Sequence, residues 1–96
     1  MIRDKLKSWC EIDGEALHSN VKSLRSLLAP TTKLGIVVKS NAYGHGFDLC
    51  AKIFECAAVD WLIVNSVQEA TALRAIGIKL PVYICAQVMP EEVDEV

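Results

Sequence analysis

No apolar run in this 96-residue chain approaches the roughly 20 residues of a membrane-spanning helix. The first residues, Met1-Ile2-Arg3-Asp4-Lys5-Leu6-Lys7, are charged throughout and have no apolar segment behind them, so no secretory signal is expected. Neither sign of charge dominates: the formal net charge is −2. There is no basic stripe for nucleic acid and no polybasic membrane anchor. The four cysteines, Cys10, Cys50, Cys56 and Cys85, form no Cys-x-x-Cys pair, and neither histidine stands at metal-ligand spacing from them. That argues against a metal site and a disulfide framework, and for reduced, mostly buried thiols packing as small hydrophobes. No linker or low-complexity tract interrupts the chain. With 52% apolar residues it is not a disordered sequence. What remains is a globular, cytoplasmic polypeptide of one small domain at most.

The periodicity alternates between two kinds of segment. Ser8-Trp9-Cys10-Glu11-Ile12 alternates weakly and suits a short strand. Asp13 is placed to cap a helix whose apolar stripe is Leu17, Val21, Leu24 and Leu28, and Pro30 ends it. Gly35 to Val38 is a β-branched run of the kind buried on both faces of a parallel sheet. A second helix opens at Asp48, with Leu49, Ile53 and Ala57 on one stripe and Cys50 and Phe54 beside it. Trp61 to Asn65 is a second buried strand. Ser66-Val67-Gln68-Glu69 matches a capping box, in which serine and glutamate satisfy each other's backbone donors. The helix behind it turns Ala70, Leu73 and Ile76 inward, with Gly77 as its C′ residue. Val82 to Cys85 is a third strand, and Pro90-Glu91-Glu92 reads as the first turn of another helix. Strand, helix, strand, helix, strand with short connections predicts a parallel sheet.

The segment around which this repeat is organised is Val37-Val38-Lys39-Ser40-Asn41-Ala42-Tyr43-Gly44-His45-Gly46. It places a lysine at the carboxyl end of a strand, where ligands of parallel α/β sheets bind, and a phenol four residues on. A lysine at a buried strand end is unusual and needs a reason. Gly44 and Gly46 suit backbone turns, and His45 suits a residue that orders the loop through hydrogen bonds.

This decapeptide closely resembles the alanine racemase family, which uses pyridoxal 5′-phosphate (PLP). The resemblance extends to Trp9 and Glu11-Ile12-Asp13 before the first helix, and to Glu69-Ala70 and Leu73-Arg74 in the third. Related barrel decarboxylases share a shorter core without the Ala-Tyr-Gly-His-Gly continuation. The resemblance implies a PLP-binding (β/α)8 TIM barrel, a C-terminal β-domain and a homodimer with active sites at the interface. It implies interconversion of L- and D-alanine for peptidoglycan synthesis. The stretch around Trp9 would lie outside the barrel proper.

By resemblance, Lys39 is the lysine that holds PLP covalently and serves as an acid/base on the D-face of the substrate carbon. Tyr43 is the tyrosine whose hydroxyl bonds the cofactor phosphate. Val37 lines the cofactor pocket, and Cys85 stands at a lining position usually filled by an aliphatic residue. Ser40 replaces a commoner alanine. The family's opposite base, its pyridine-nitrogen arginine and its later phosphate-binding segment have no counterpart up to Val96. A whole barrel takes about 250 residues. The expectation is therefore an N-terminal fragment of about three βα units spanning residues 1–96, inactive alone, with Val37, Ile63 and Ile84 on its uncovered inner face. Other readings are a different PLP barrel enzyme, a broad-specificity racemase or a decarboxylase, and a non-catalytic truncated product.

Overall fold

The computed structural model describes residues 8 and 10–96; expectations for Trp9 and its surroundings lie outside the described residues. The expected strand at Ser8–Ile12 is not formed by those of its residues that are described. Helix α1 (Gly14–Ser26) starts where Asp13 Oδ1 accepts the Ala16 N–H at 3.1 Å. It ends four residues before Pro30. The Leu27 and Leu28 N–H groups tighten onto Leu24 and Arg25 carbonyls, and Ser26 Oγ donates to Ser23 O. Val21 is its buried residue, and Leu24 is 47% exposed.

Strand β1 (Gly35–Val37) pairs with β2 (Trp61–Val64), and β2 with β3 (Val82–Ile84). All pairings are parallel, in the order β1-β2-β3. Helix α2 (Phe47–Cys56) joins the first pair and α3 (Val67–Ala75) the second. On α2 the buried positions are Cys50 and Ala51, one step round from the predicted stripe, while Leu49 is 49% exposed. Gly77 follows α3 at φ +91°, a left-handed C′ residue as predicted. The Pro90–Glu95 segment is a 3-10 turn, not an α-helix.

The core lies between the sheet and its helices. Val38, Ala51, Leu62, Val64 and Leu73 are fully buried, with Ile36, Val82 and Ile84 packed against them. The opposite sheet face has no helical cover among the described residues. Register sets its members: Gly35 lies beside Trp61, and Val37 beside Ile63 beside Tyr83. Ile84 pairs with Val64 on the helix side, so Tyr83, 57% exposed, takes the inner position expected of Ile84. β1 is thus buried on one face only, contrary to expectation.

The amino ends of the strands carry a polar staple. Asp60 Oδ2 accepts Arg25 Nη2 at 2.6 Å and the Leu34 N–H at 2.7 Å, and Arg25 also donates to Thr32 O. The hydrogen bonds from Arg25 and the Leu34 amide hold the Asp60 carboxyl below its ordinary value. Among the cysteines Cys50 is buried, and burial pushes its thiol up; Cys10, Cys56 and Cys85 are exposed, contrary to the expectation of mostly buried thiols.

Candidate active site

The carboxyl ends of the strands gather the residues singled out in the sequence. The ladder runs one residue past each strand: the Val38 N–H donates to Ile63 O and the Cys85 N–H to Val64 O, both at 2.9 Å. Lys39 and Cys85 therefore leave the sheet at the same end, on either side of Asn65. Lys39 is half-buried. Among the described residues no carboxylate pairs with its amine. The Cys85 thiol lies 3.7 Å from Asn65 Oδ1. Val37 is on the uncovered sheet face with Ile63.

After Lys39 the chain does something the sequence did not announce. The Lys39–Tyr43 segment is a single left-handed turn, with φ of 53°, 58°, 54° and 56° at Ser40, Asn41, Ala42 and Tyr43. For L-residues this conformation costs roughly 1–2 kcal/mol per residue, and it normally occurs one residue at a time. Four in succession need support, and the support is visible. The Ala42 N–H reaches Val38 O at 3.0 Å, and the Gly44 and Gly46 N–H groups both reach Asn41 O at 3.0 Å. Asn41 Oδ1 accepts the Phe47 N–H at 2.7 Å, tying the turn to the first residue of α2. The His45 ring orders the loop as expected, with Nδ1 3.0 Å from Ala42 O. Gly46, at φ +100°, makes the bend into α2.

The turn leaves Tyr43 61% exposed, so its ring is not packed beneath the loop. Ala42 is buried in the core instead. The turn presents Lys39 and Tyr43 from one short, over-determined piece of backbone.

Sequence reasoning gave Glu69 a different task. Ser66 Oγ does accept the Glu69 N–H, at 3.1 Å, which is half of the predicted capping box. The glutamate carboxylate takes other donors. Oε1 accepts the Asn65 N–H at 2.7 Å, and Oε2 accepts the Ser40 N–H at 3.0 Å. Glu69 thus spans the ends of β1 and β2.

A family model described as alanine racemase, N-terminal domain, matches residues 12–96. The chain belongs to the alanine racemase family. It is 35% identical over 91 residues to the alanine racemase of Leptospira interrogans, covering 95% of this chain and 23% of that protein. To the alanine racemase of Synechocystis it is 38% identical over its whole length, which is 26% of that protein. Among solved structures it is similar to alanine racemase of Clostridium difficile 630, with a TM-score of 0.87 at 33% identity, covering 94% of this chain and 24% of that one. The Bacillus anthracis alanine racemase, solved with bound L-Ala-P, aligns with a TM-score of 0.83 at 33% identity over 88% of this chain and 22% of its own. The chain thus spans about a quarter of the length of these relatives. Its three parallel strands, the first two each followed by a helix, are the N-terminal part of the racemase barrel, and β1 and β3 are the edge strands among the described residues.

Proposed function

We propose that Lys39 is the cofactor-bearing lysine and one of the two acid/bases of a PLP-dependent alanine racemase, with residues 1–96 forming the N-terminal piece of its barrel domain. The observation that carries this is the position of Lys39, one residue past a ladder that ends at the carboxyl edge of the sheet, at the head of a strained turn bearing Tyr43. Strained backbone of this kind clusters at functional sites.

The donor set fits PLP. A primary amine with no carboxylate partner among the described residues suits an aldehyde, and an exposed phenol four residues on suits a phosphate. When bound, PLP withdraws electrons from the substrate carbon and eases loss of its proton. Lys39 Nζ takes and returns that proton on one face. The Tyr43 hydroxyl would donate to the cofactor phosphate. Val37 and Cys85 line the pocket from the ends of β1 and β3. Racemisation also needs an acid/base on the other face, which residues outside 12–96 supply. In this reading the substrate is alanine, the assembly is a homodimer, and the enzyme works in the cytoplasm.

The test uses a racemase of full family length whose N-terminal quarter is residues 12–96 of this chain. Borohydride reduction of the PLP-loaded protein is expected to fix the cofactor on Lys39, and Lys39→Arg to abolish the fixation, because a guanidinium stays protonated. Cofactor recovered on another lysine would overturn the assignment.

A further inference from the structure

The cofactor reading leaves one contact at the site without a task. Glu69 sits in the first turn of α3, where a capping glutamate would fold back on the Ser66 amide. Here the serine half of that cap is made, and the carboxylate is turned to the Asn65 and Ser40 amides, 2.7 and 3.0 Å away. One oxygen serves the end of β2, and the other crosses to β1 and takes the first N–H after Lys39.

We propose that Glu69 is a positioning residue for Lys39, its carboxylate fixing the Lys39–Ser40 peptide from the neighbouring strand end. The inference rests on the reading of Lys39 as the cofactor-bearing lysine. The Ser40 N–H lies in the peptide plane whose orientation is the ψ of Lys39 and whose far side begins the left-handed run. Holding that N–H therefore sets the exit direction of the lysine and the entry into the turn together. Charge-assisted bonds to backbone N–H groups are short and about twice as strong as neutral ones, which suits a tether working against strained backbone. The other supports of the turn tie it to its own chain on either side, to the end of β1 through Ala42 and Val38 and to α2 through Gly46 and Asn41 and through Phe47 and Asn41. Glu69 instead references the turn to β2. That is the frame in which Lys39 must be aligned with a ligand lying across several strand ends. A glutamine has the same shape but one acceptor oxygen, so it can keep the Asn65 bond and must set an NH2 group against the Ser40 N–H. Aspartate is one methylene shorter and cannot span both donors.

Glu69→Gln, Glu69→Asp and Glu69→Ala are compared with the parent in the full-length racemase described above. In cofactor-free protein, hydrogen-exchange mass spectrometry is expected to show faster exchange in the Lys39–Gly46 peptide of Glu69→Gln and no change in α1. In the PLP-loaded protein, the visible circular-dichroism band of the cofactor is expected to weaken, and kcat to fall roughly 10- to 100-fold with KM little changed, since small misplacements of a reacting group act on the chemical step. A capping role alone would lower Tm and leave the cofactor band and kcat where they were. If Glu69→Ala does not fold, the isosteric glutamine variant decides. A folded Glu69→Gln with parental exchange, band and kcat overturns the proposal. Failure of the parent to carry PLP on Lys39 would overturn the cofactor reading instead, whatever the variants do.

Discussion

Expressed by itself, the 96-residue polypeptide is expected to be a poorly fixed, association-prone species without racemase activity. The perturbation is the bare sheet face. Trp61 is 40% and Tyr83 57% exposed, and Val37 and Ile63 are only half-buried beside them. Fully burying one large apolar side chain is worth about 1.5–3 kcal/mol. Four such residues left on average about a third uncovered therefore forgo roughly 2–4 kcal/mol, against a whole-domain margin of about 5–15 kcal/mol. The two open strand edges add unpaired backbone groups that invite association. The assay compares far- and near-ultraviolet circular dichroism, dye binding and size-exclusion behaviour of the isolated polypeptide. Helical signal with weak aromatic dichroism and strong dye binding is expected. Incubation with PLP and D-alanine in deuterated water then follows α-proton exchange and chirality separately. Exchange with retention suits a single acid/base at Lys39. A sharply cooperative, dye-silent monomer would refute the packing argument, and interconversion of D- and L-alanine that disappears in Lys39→Ala would refute the need for a second base outside this segment.

In the full-length racemase, Tyr43→Phe is expected to leave the fold intact and weaken PLP retention. A hydrogen bond to a charged group is worth about 1.5–3 kcal/mol, or roughly 10- to 150-fold in affinity; unchanged PLP affinity by equilibrium dialysis would remove Tyr43 from the cofactor site. Asp60→Asn is expected to destabilise the protein at neutral pH. Because the native Asp60 carboxyl titrates below its unfolded value, near 3.9, its contribution is fully present above that value and fades as pH falls through the lower native one. The stability gap between parent and variant in urea melts should therefore close on acidification; a gap independent of pH would mean that the Arg25–Asp60 pair is not what the aspartate contributes.

The parallel order of the three strands and most of the caps were legible in the sequence, because they depend on neighbours. Asp13, Ser66 and Gly77 act within a few residues of themselves, and a β-branched run between turn residues has few alternatives. The departures arise where distant partners decide. Leu24 and Leu28 continue the helical stripe on paper, but Ser26 and the tightened last turn stop α1 before Pro30 can. On α2, packing against α1 draws Ile53 towards Gly14, where an added Cβ would lie 3.3 Å from Ile53 Cδ1, and it is Cys50 and Ala51 that meet the sheet. The open face takes Tyr83 in place of the expected Ile84 because the parallel register sets Tyr83 beside Ile63 and Ile84 beside the buried Val64. Cysteine burial could not be read at all from residue type.

The left-handed turn shows the same division inside the site. Nothing in Ser40-Asn41-Ala42-Tyr43 favours positive φ except Asn41, and alanine and tyrosine disfavour it. The position of Lys39 could be read from the strand before it, and the identity of Tyr43 from the motif. The backbone that relates the two could not, because what holds it comes from elsewhere: Val38 O before the turn, the Phe47 amide after it, and the Glu69 carboxylate 29 residues on from Ser40. Those bonds offset the local preference for a right-handed path, and their partners lie at the end of β1 and at the starts of α2 and α3. The turn that carries Lys39 and Tyr43 thus depends on partners outside itself. A lesion in the sheet or at Glu69 should therefore disturb the lysine–tyrosine geometry before it disturbs the helices, and the capping-box reading of Ser66-Val67-Gln68-Glu69, sound for the serine, missed it because the glutamate is serving another strand.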